Sequence, residues 1–112
     1  MPPFKGVIVY EILPNGCLNG IYSNDAMSTT NEIFNEIARK IPNANKDEIL
    51  GKYACSYIDL GNKIEICDLE INAPPSKKGQ YQFTWTKKGT KIFEGIGWLT
   101  RHNQITVSYW DV

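Results

Sequence analysis

The chain has 112 residues, of which 42% are hydrophobic and 21% are charged. This is the composition of one folded domain rather than of a disordered segment. Twelve Lys and Arg residues balance twelve Asp and Glu residues. Nucleic-acid binding needs a basic surplus, so we expect no nucleic-acid partner.

No apolar run approaches the roughly 20 residues of a membrane helix, and the first residues lack the apolar core of a signal peptide. We therefore expect a cytoplasmic protein that does not enter a membrane. The cysteines, Cys17, Cys55 and Cys67, are odd in number and lack the spacing of metal ligands. They are expected to be reduced thiols, and we expect neither a metal site nor a cofactor.

Asn15-Gly16 is a strong hairpin signal, because both residues accept the positive φ of a tight two-residue turn. Such a turn would set Leu13 opposite Leu18 and would leave Glu11 on the same mostly apolar face. Two interpretations of Glu11 remain: an outward residue on a twisted strand, which we favour, and an inward carboxylate.

The segment that follows favours a short helix over about residues 30–41. Thr29 and Glu32 fit a capping box, Pro42 would end the helix, and apolar residues follow at helical spacing: Ile33, Phe34, Ile37, Ala38 and Ile41. A strand is the alternative, because Ile33, Ile37 and Ile41 also alternate onto one face. It would be the eighth strand of a closed meander.

A second hairpin is predicted from strands at 51–60 and 63–72. Its apolar phase shifts between Ile66 and Leu69, and a β-bulge at Cys67-Asp68 would restore a single Ile/Leu face. In this register Cys55 points away from that face, and Cys55 and Cys67 are poorly placed for a disulfide.

The last third, residues 79–111, predicts three consecutive antiparallel strands. Tyr81, Phe83 and Trp85 alternate strictly with polar residues, and Ile105, Val107 and Tyr109 alternate near the end. The predicted register sets the first three rings against Phe93, Gly95 and Gly97. Rings that lie over strand glycines fill missing side-chain volume and permit sharp curvature.

The motif Gly-x-Tyr81-x-Phe83-x-Trp85, then Phe93-x-Gly-x-Gly97, then Ile-x-Val-x-Tyr109-Trp, is similar to that of small bacterial lipocalin-like and avidin-like domains. This resemblance implies a single domain over residues 1–112, folded mainly as an antiparallel meander β-barrel of seven to eight strands. It also implies that a small apolar or amphipathic ligand binds inside the barrel.

The candidate ligand-binding residues are the inward aromatic residues of the last third: Tyr81, Phe83, Trp85, Phe93 and Tyr109. An eight-stranded barrel is just wide enough to be filled by such rings or to hold one small ligand, so a filled core is the alternative. Trp98 and Trp110 fall on the opposite phase. Tryptophans on the outer wall indicate a protein interface, and a homodimer through this face is a second hypothesis.

Enzymatic activity is the least favoured hypothesis, and no catalytic residue is assigned. His102 is predicted in an exposed turn, whereas a catalytic histidine needs a pocket and a partner. An enzyme would instead depend on a buried acid, and Glu94 would become one if its face of the strand turned inward.

Overall fold

The structure is a computed structural model that describes residues 5–24, 34–41, 49–58, 63–74 and 79–112. The chain forms a closed antiparallel barrel of eight strands in sequence order, in which the first strand also pairs with the last. The strands are β1 Lys5–Ile12, β2 Leu18–Asn24, β3 Phe34–Lys40, β4 Gly51–Ile58, β5 Ile64–Asn72, β6 Gln80–Lys87, β7 Thr90–Arg101 and β8 Gln104–Asp111.

The barrel interior is an apolar and aromatic core to which every described strand contributes side chains. Alternate residues of each strand point inward, as the period of a pleated strand requires. We call the end of the barrel at which β1 begins the lower end. β2, β4, β6 and β8 finish there, and β3, β5 and β7 begin there. Within the described residues, no helix is long and apolar enough to span a membrane.

The predicted helix is wrong for residues 34–40, which form β3 between β2 and β4. The capping-box residues lie outside the described residues. A spacing of four is helical but also even, so the same isoleucines fit one face of a strand. That face is the outer one: Ile37 is 52% exposed, while Ala38 is buried. Pairing with both neighbouring strands satisfies the backbone and closes the barrel.

The first hairpin differs from the prediction by a shift of register. Ile12, rather than Leu13, pairs with Leu18, so the connection contains five residues. Asn15 Oδ1 accepts a hydrogen bond of 3.0 Å from the Cys17 amide within this connection, and this stabilises the wider turn. The shift turns Tyr10 inward. Glu11 is exposed, which confirms the outward interpretation.

The predicted bulge in the second hairpin is also wrong, because β4 and β5 pair without interruption and place Cys55 opposite Cys67. The regular register keeps Leu69 in the core and turns Ile64 and Ile66 outward, where they are 74% and 69% exposed. The sequence interpretation assumed that all four apolar residues of β5 share a buried face. Continuous pairing of the backbone prevails over that assumption.

The predicted register of the last third is confirmed: Trp85 pairs with Phe93, Phe83 with Gly95 and Tyr81 with Gly97. The close approach at Gly97 explains the glycine, because an added Cβ would lie 2.8 Å from the Phe83 ring. The predicted glycine contacts therefore position the rings of β6 against β7.

Candidate functional site

A buried carboxylate inside the barrel is the chemically most unusual feature of the structure. Glu36 lies on the inner face of β3, between Gly20 of β2 and Tyr57 of β4. It is 5% exposed and is the one charged residue buried among those the structure describes. A buried ionised carboxylate is costly unless it is hydrogen-bonded or paired with a positive charge.

Three neutral groups from three strands hydrogen-bond this carboxylate. The Tyr10 hydroxyl donates to Oε2 of Glu36, and the Trp85 indole N–H donates to the same oxygen over 3.4 Å. The Cys55 thiol is the third donor. Gly20 makes the Tyr10 bond possible, since an added Cβ there would lie 2.7 Å from the Tyr10 ring. The Tyr10 side chain thus crosses one strand to reach the next.

Burial raises the pKa of the Glu36 carboxyl to about 7, and the hydrogen bonds from Cys55 and Trp85 only partly oppose that rise. A carboxyl with this pKa exchanges a proton near neutral pH. The group can therefore change its charge inside the barrel without any large change in solution conditions.

Below Glu36, four aromatic rings are arranged so that each contacts the next and the last contacts the first. We call this group the aromatic circuit: Tyr22, Tyr57, Phe93 and Tyr109. Successive ring centroids are 6.2, 6.4, 5.9 and 6.5 Å apart around the circuit. Each contact is edge-to-face, with interplanar angles of 74° to 85°. Such contacts are favourable because the positive ring edge meets a negative ring face.

The aromatic circuit lies at the lower end of the barrel and is partly exposed there. Tyr57 and Phe93 are half-buried, whereas Tyr22 and Tyr109 are buried. Asn24 Nδ2 donates to the Tyr109 hydroxyl over 2.9 Å, and the Tyr22 hydroxyl donates to a backbone carbonyl of β4, that of Ile58. These bonds fix the orientation of two of the four rings.

Trp85 connects the aromatic circuit to the carboxylate. Its ring lies 6.4 Å from that of Phe93 and 6.0 Å from that of Tyr109, while its indole N–H reaches Glu36. Tyr57 is also the direct cross-strand neighbour of Glu36. Burial raises the pKa of the Tyr57 hydroxyl, with smaller contributions from Cys67 and Glu65, so this phenol stays neutral at neutral pH.

The predicted ligand-binding residues all lie on inward-facing positions, but they do not form one group. Trp85, Phe93 and Tyr109 meet at the lower end. Phe83 is fully buried above them and stacks between Trp85 and Tyr10, at 5.7 and 6.0 Å. Tyr81 is half-buried near the opposite end, where it pairs with Gly97.

Sequence reasoning missed Glu36, Tyr10, Tyr22 and Tyr57 as members of this site. Glu36 could have been identified from the alternative assignment of residues 30–41 as a strand. That assignment puts Phe34, Glu36 and Ala38 together on one face. For Tyr57 the signal was the alternation of Tyr53, Cys55 and Tyr57, which the bulge assigned to the outer side. Both depend on knowing which strand face is inside.

The inward cysteines are free thiols. Cys55 and Cys67 are buried and pair across β4 and β5, which corrects the predicted bulge at Cys67 and the predicted orientation of Cys55 away from the core face. The hydrogen bond with Cys67, together with burial, raises the pKa of the Cys55 thiol well above its ordinary value. Cys55 therefore acts here as a neutral donor. Among the described residues, no His, Cys, Asp and Glu side chains are grouped so as to hold a metal ion.

The outer wall carries the remaining candidates. Glu94 faces outward and pairs with Lys91 Nζ at 2.7 Å, and the Lys91 hydrogen bond lowers the pKa of this carboxyl. The hypothesis of a buried acid at Glu94 is therefore wrong. His102 is exposed in the β7–β8 turn. Trp98 is 47% exposed, and Trp110 is half-buried beside Glu94.

Comparison of the chain with protein-family models, with curated proteins and with solved structures gave no match. The geometry of the barrel and its interior is consequently the basis for inferring a function.

Proposed function

We propose that the protein binds a small apolar or amphipathic molecule at the lower end of the barrel, within the aromatic circuit. The observation that carries the proposal is the circuit itself. Each of its four rings contacts two of the others, and two of them, Tyr57 and Phe93, keep exposed surface. Small-molecule sites are typically concave, aromatic and supplied with a few polar groups, and here Glu36 and Asn24 are such groups.

The barrel architecture supports the same proposal. A closed sheet of eight strands is rigid and holds inward side chains in fixed positions. Its middle is filled by core side chains such as Phe83 and Trp85, so the ligand is proposed at the lower end, where two rings keep exposed surface. The fully buried rings Phe83 and Trp85 support the circuit from above. A ligand would then lie on a preformed aromatic surface and would not need to reorganise the core.

Fluorescence of the uncharged dye N-phenyl-1-naphthylamine tests this function, because its emission rises on transfer from water to an apolar site. We expect saturable binding by the unmodified protein and at least about tenfold weaker binding by Phe93→Ala, which loses one face of the circuit. Trp98→Ala is the matched control, since it removes an exposed ring from the outer wall. Undiminished binding by Phe93→Ala, or loss of binding in Trp98→Ala, would contradict the proposal.

A second candidate function is self-association through the outer wall. Ile21, Val9, Thr106 and Trp98 follow one another in register across β2, β1, β8 and β7. This row contains no charged side chain, and Ile21 and Trp98 are each about half exposed. An uncharged row does not repel a second copy of itself, so a homodimer is the partner that it fits. Trp110 contributes less, because it lies between Lys5 and Glu94 in its own row.

A further inference from the structure

We infer that the ligand of the barrel carries an organic ammonium group, which contacts the aromatic circuit and whose charge Glu36 balances. This inference rests on the proposed function and adds the chemical class of the ligand. The juxtaposition that supports it is one buried carboxylate directly above four aromatic rings, joined to them by Tyr57 and Trp85.

The first argument is charge. Tyr10, Cys55 and Trp85 are neutral donors, so the ionised Glu36 carboxylate has hydrogen bonds but no positive partner among the described side chains. Among the described residues, Lys87 at the lower end is paired with Glu65. An anion without a cation in an apolar interior is strongly disfavoured. A cationic ligand would supply the missing charge.

The second argument is the arrangement of the rings. Tyr57 and Phe93 are the half-buried members of the circuit, and their ring centroids lie 6.4 Å apart at the lower end. A cation over the face of an aromatic ring, within about 6 Å of its centroid, is attracted by the ring quadrupole. Groups of aromatic rings are a known means of recognising quaternary ammonium groups, and a neutral apolar ligand lacks this attraction.

The test compares two probes of the same shape, benzyltrimethylammonium and its uncharged isostere neopentylbenzene, by displacement of the bound dye from the full chain. We expect the cation to bind at least about tenfold more tightly than the isostere. Glu36→Gln should remove that preference while the isostere still binds, because the glutamine keeps an acceptor for Tyr10 and Trp85 but carries no charge. Glu94→Gln, the same change on the outer wall, should leave the preference intact.

A measurement on the unmodified protein keeps the inference testable if Glu36→Gln does not fold. Affinity for the cation should rise between pH 5.5 and 8.5 as Glu36 ionises, while affinity for the isostere stays constant. The titratable groups that face Glu36 are Tyr10 of β1, Cys55 and Tyr57 of β4 and, through Cys55, Cys67 of β5. The raised pKa values of Cys55 and Tyr57 keep both neutral over this range.

The outcomes separate this inference from the proposed function. If the dye binds but the isostere equals or exceeds the cation, or if neither probe displaces the dye, the ammonium inference is overturned and apolar binding stands. If neither the dye nor either probe binds, both are overturned. A cation preference that survives in Glu36→Gln also contradicts the assigned role of Glu36.

Discussion

At the scale of single residues, Glu36 decides the chemistry of the interior. Its neighbours donate three hydrogen bonds, which stabilise the ionised form, but the desolvation caused by burial outweighs them and raises the pKa to about 7. The three groups that hydrogen-bond it are neutral, so protonation is the way the barrel relieves the buried charge. The site is thus sensitive to pH through one group.

We expect the free energy of unfolding to depend on pH through Glu36. The folded-state pKa is raised above the unfolded value of 4.5, so the folded state keeps its proton to higher pH. The stabilisation is fully present below pH 4.5 and is lost as the pH rises towards 7. Its full size is about 3 kcal/mol. Urea unfolding at a series of pH values measures this slope.

Glu36→Gln should abolish that slope, whereas Glu94→Gln should not. The pKa of Glu94 is lowered by Lys91, so its contribution has the opposite sign and weakens as the pH falls. A falling stability between pH 4.5 and 7 that persists in Glu36→Gln would show that another group titrates.

At the scale of secondary-structure elements, β6 and β7 show how the sheet accommodates large rings. Phe83 pairs with Gly95, but its ring leans over the next inward glycine of β7, Gly97. A Cβ added at Gly97 would also lie 3.0 Å from Val107 of β8. The Phe83 ring and the Val107 side chain therefore fill the space beside Gly97. A methyl group at Gly97 would compete for space with both neighbours.

Gly97→Ala should destabilise the protein by about 1–3 kcal/mol through overpacking. Thermal or urea unfolding measures the loss. The double variant Gly97→Ala, Phe83→Leu should lose less than the sum of the two single variants, because the smaller side chain makes room for the methyl group. Additive losses would mean that Phe83 is not the residue in conflict.

β3 shows what local sequence could not decide. Its apolar residues are four apart, a spacing that fits a helix and also one face of a strand. The choice was made by hydrogen bonding to β2 and β4, which no local pattern contains. The same uncertainty concealed Glu36, because its burial follows from the strand assignment. In β6–β8, by contrast, strict alternation and the glycines predicted the register and the inward rings.

Only two of the four residues of the aromatic circuit, Phe93 and Tyr109, were predicted as site residues from the sequence. Phe93 and Tyr109 come from strands whose alternation was clear, whereas the assumed bulge assigned Tyr57 to the outer face. Tyr22 was on the apolar face in the prediction too, and the register shift exchanged the faces of β1 rather than those of β2. A slip of one residue exchanges the two faces of a strand, so such an error reverses every side chain beyond it.

At the scale of the whole molecule, the outer wall carries two rows of side chains with different chemistry. The row that runs from Ile21 to Trp98 is uncharged, whereas the row of Trp110 contains Lys5 and Glu94. The uncharged row lies outside the barrel and the aromatic circuit inside it. The proposed self-association and the proposed ligand binding would therefore use separate residues.

Trp98→Ala should lower the average mass in sedimentation equilibrium if the uncharged row joins two copies, since a half-exposed indole is typical of an interface anchor. Ile66→Ala is the control, because Ile66 is more exposed but lies on β5, off this row. An unchanged mass in Trp98→Ala would count against the dimer, and an equal decrease in both variants would indicate nonspecific association.

The closure of β1 against β8 has a kinetic consequence. Seven of the eight strand pairings join neighbours in the sequence, but this one joins residues about 100 positions apart, such as Lys5 and Trp110. Bringing distant segments together carries the largest loop-closure entropy. We therefore expect the hairpins to form early, and the β1–β8 seam to form last and to limit the rate. Until it forms, both edge strands are open to pairing with another chain, so slow closure sets the concentration at which refolding gives way to aggregation.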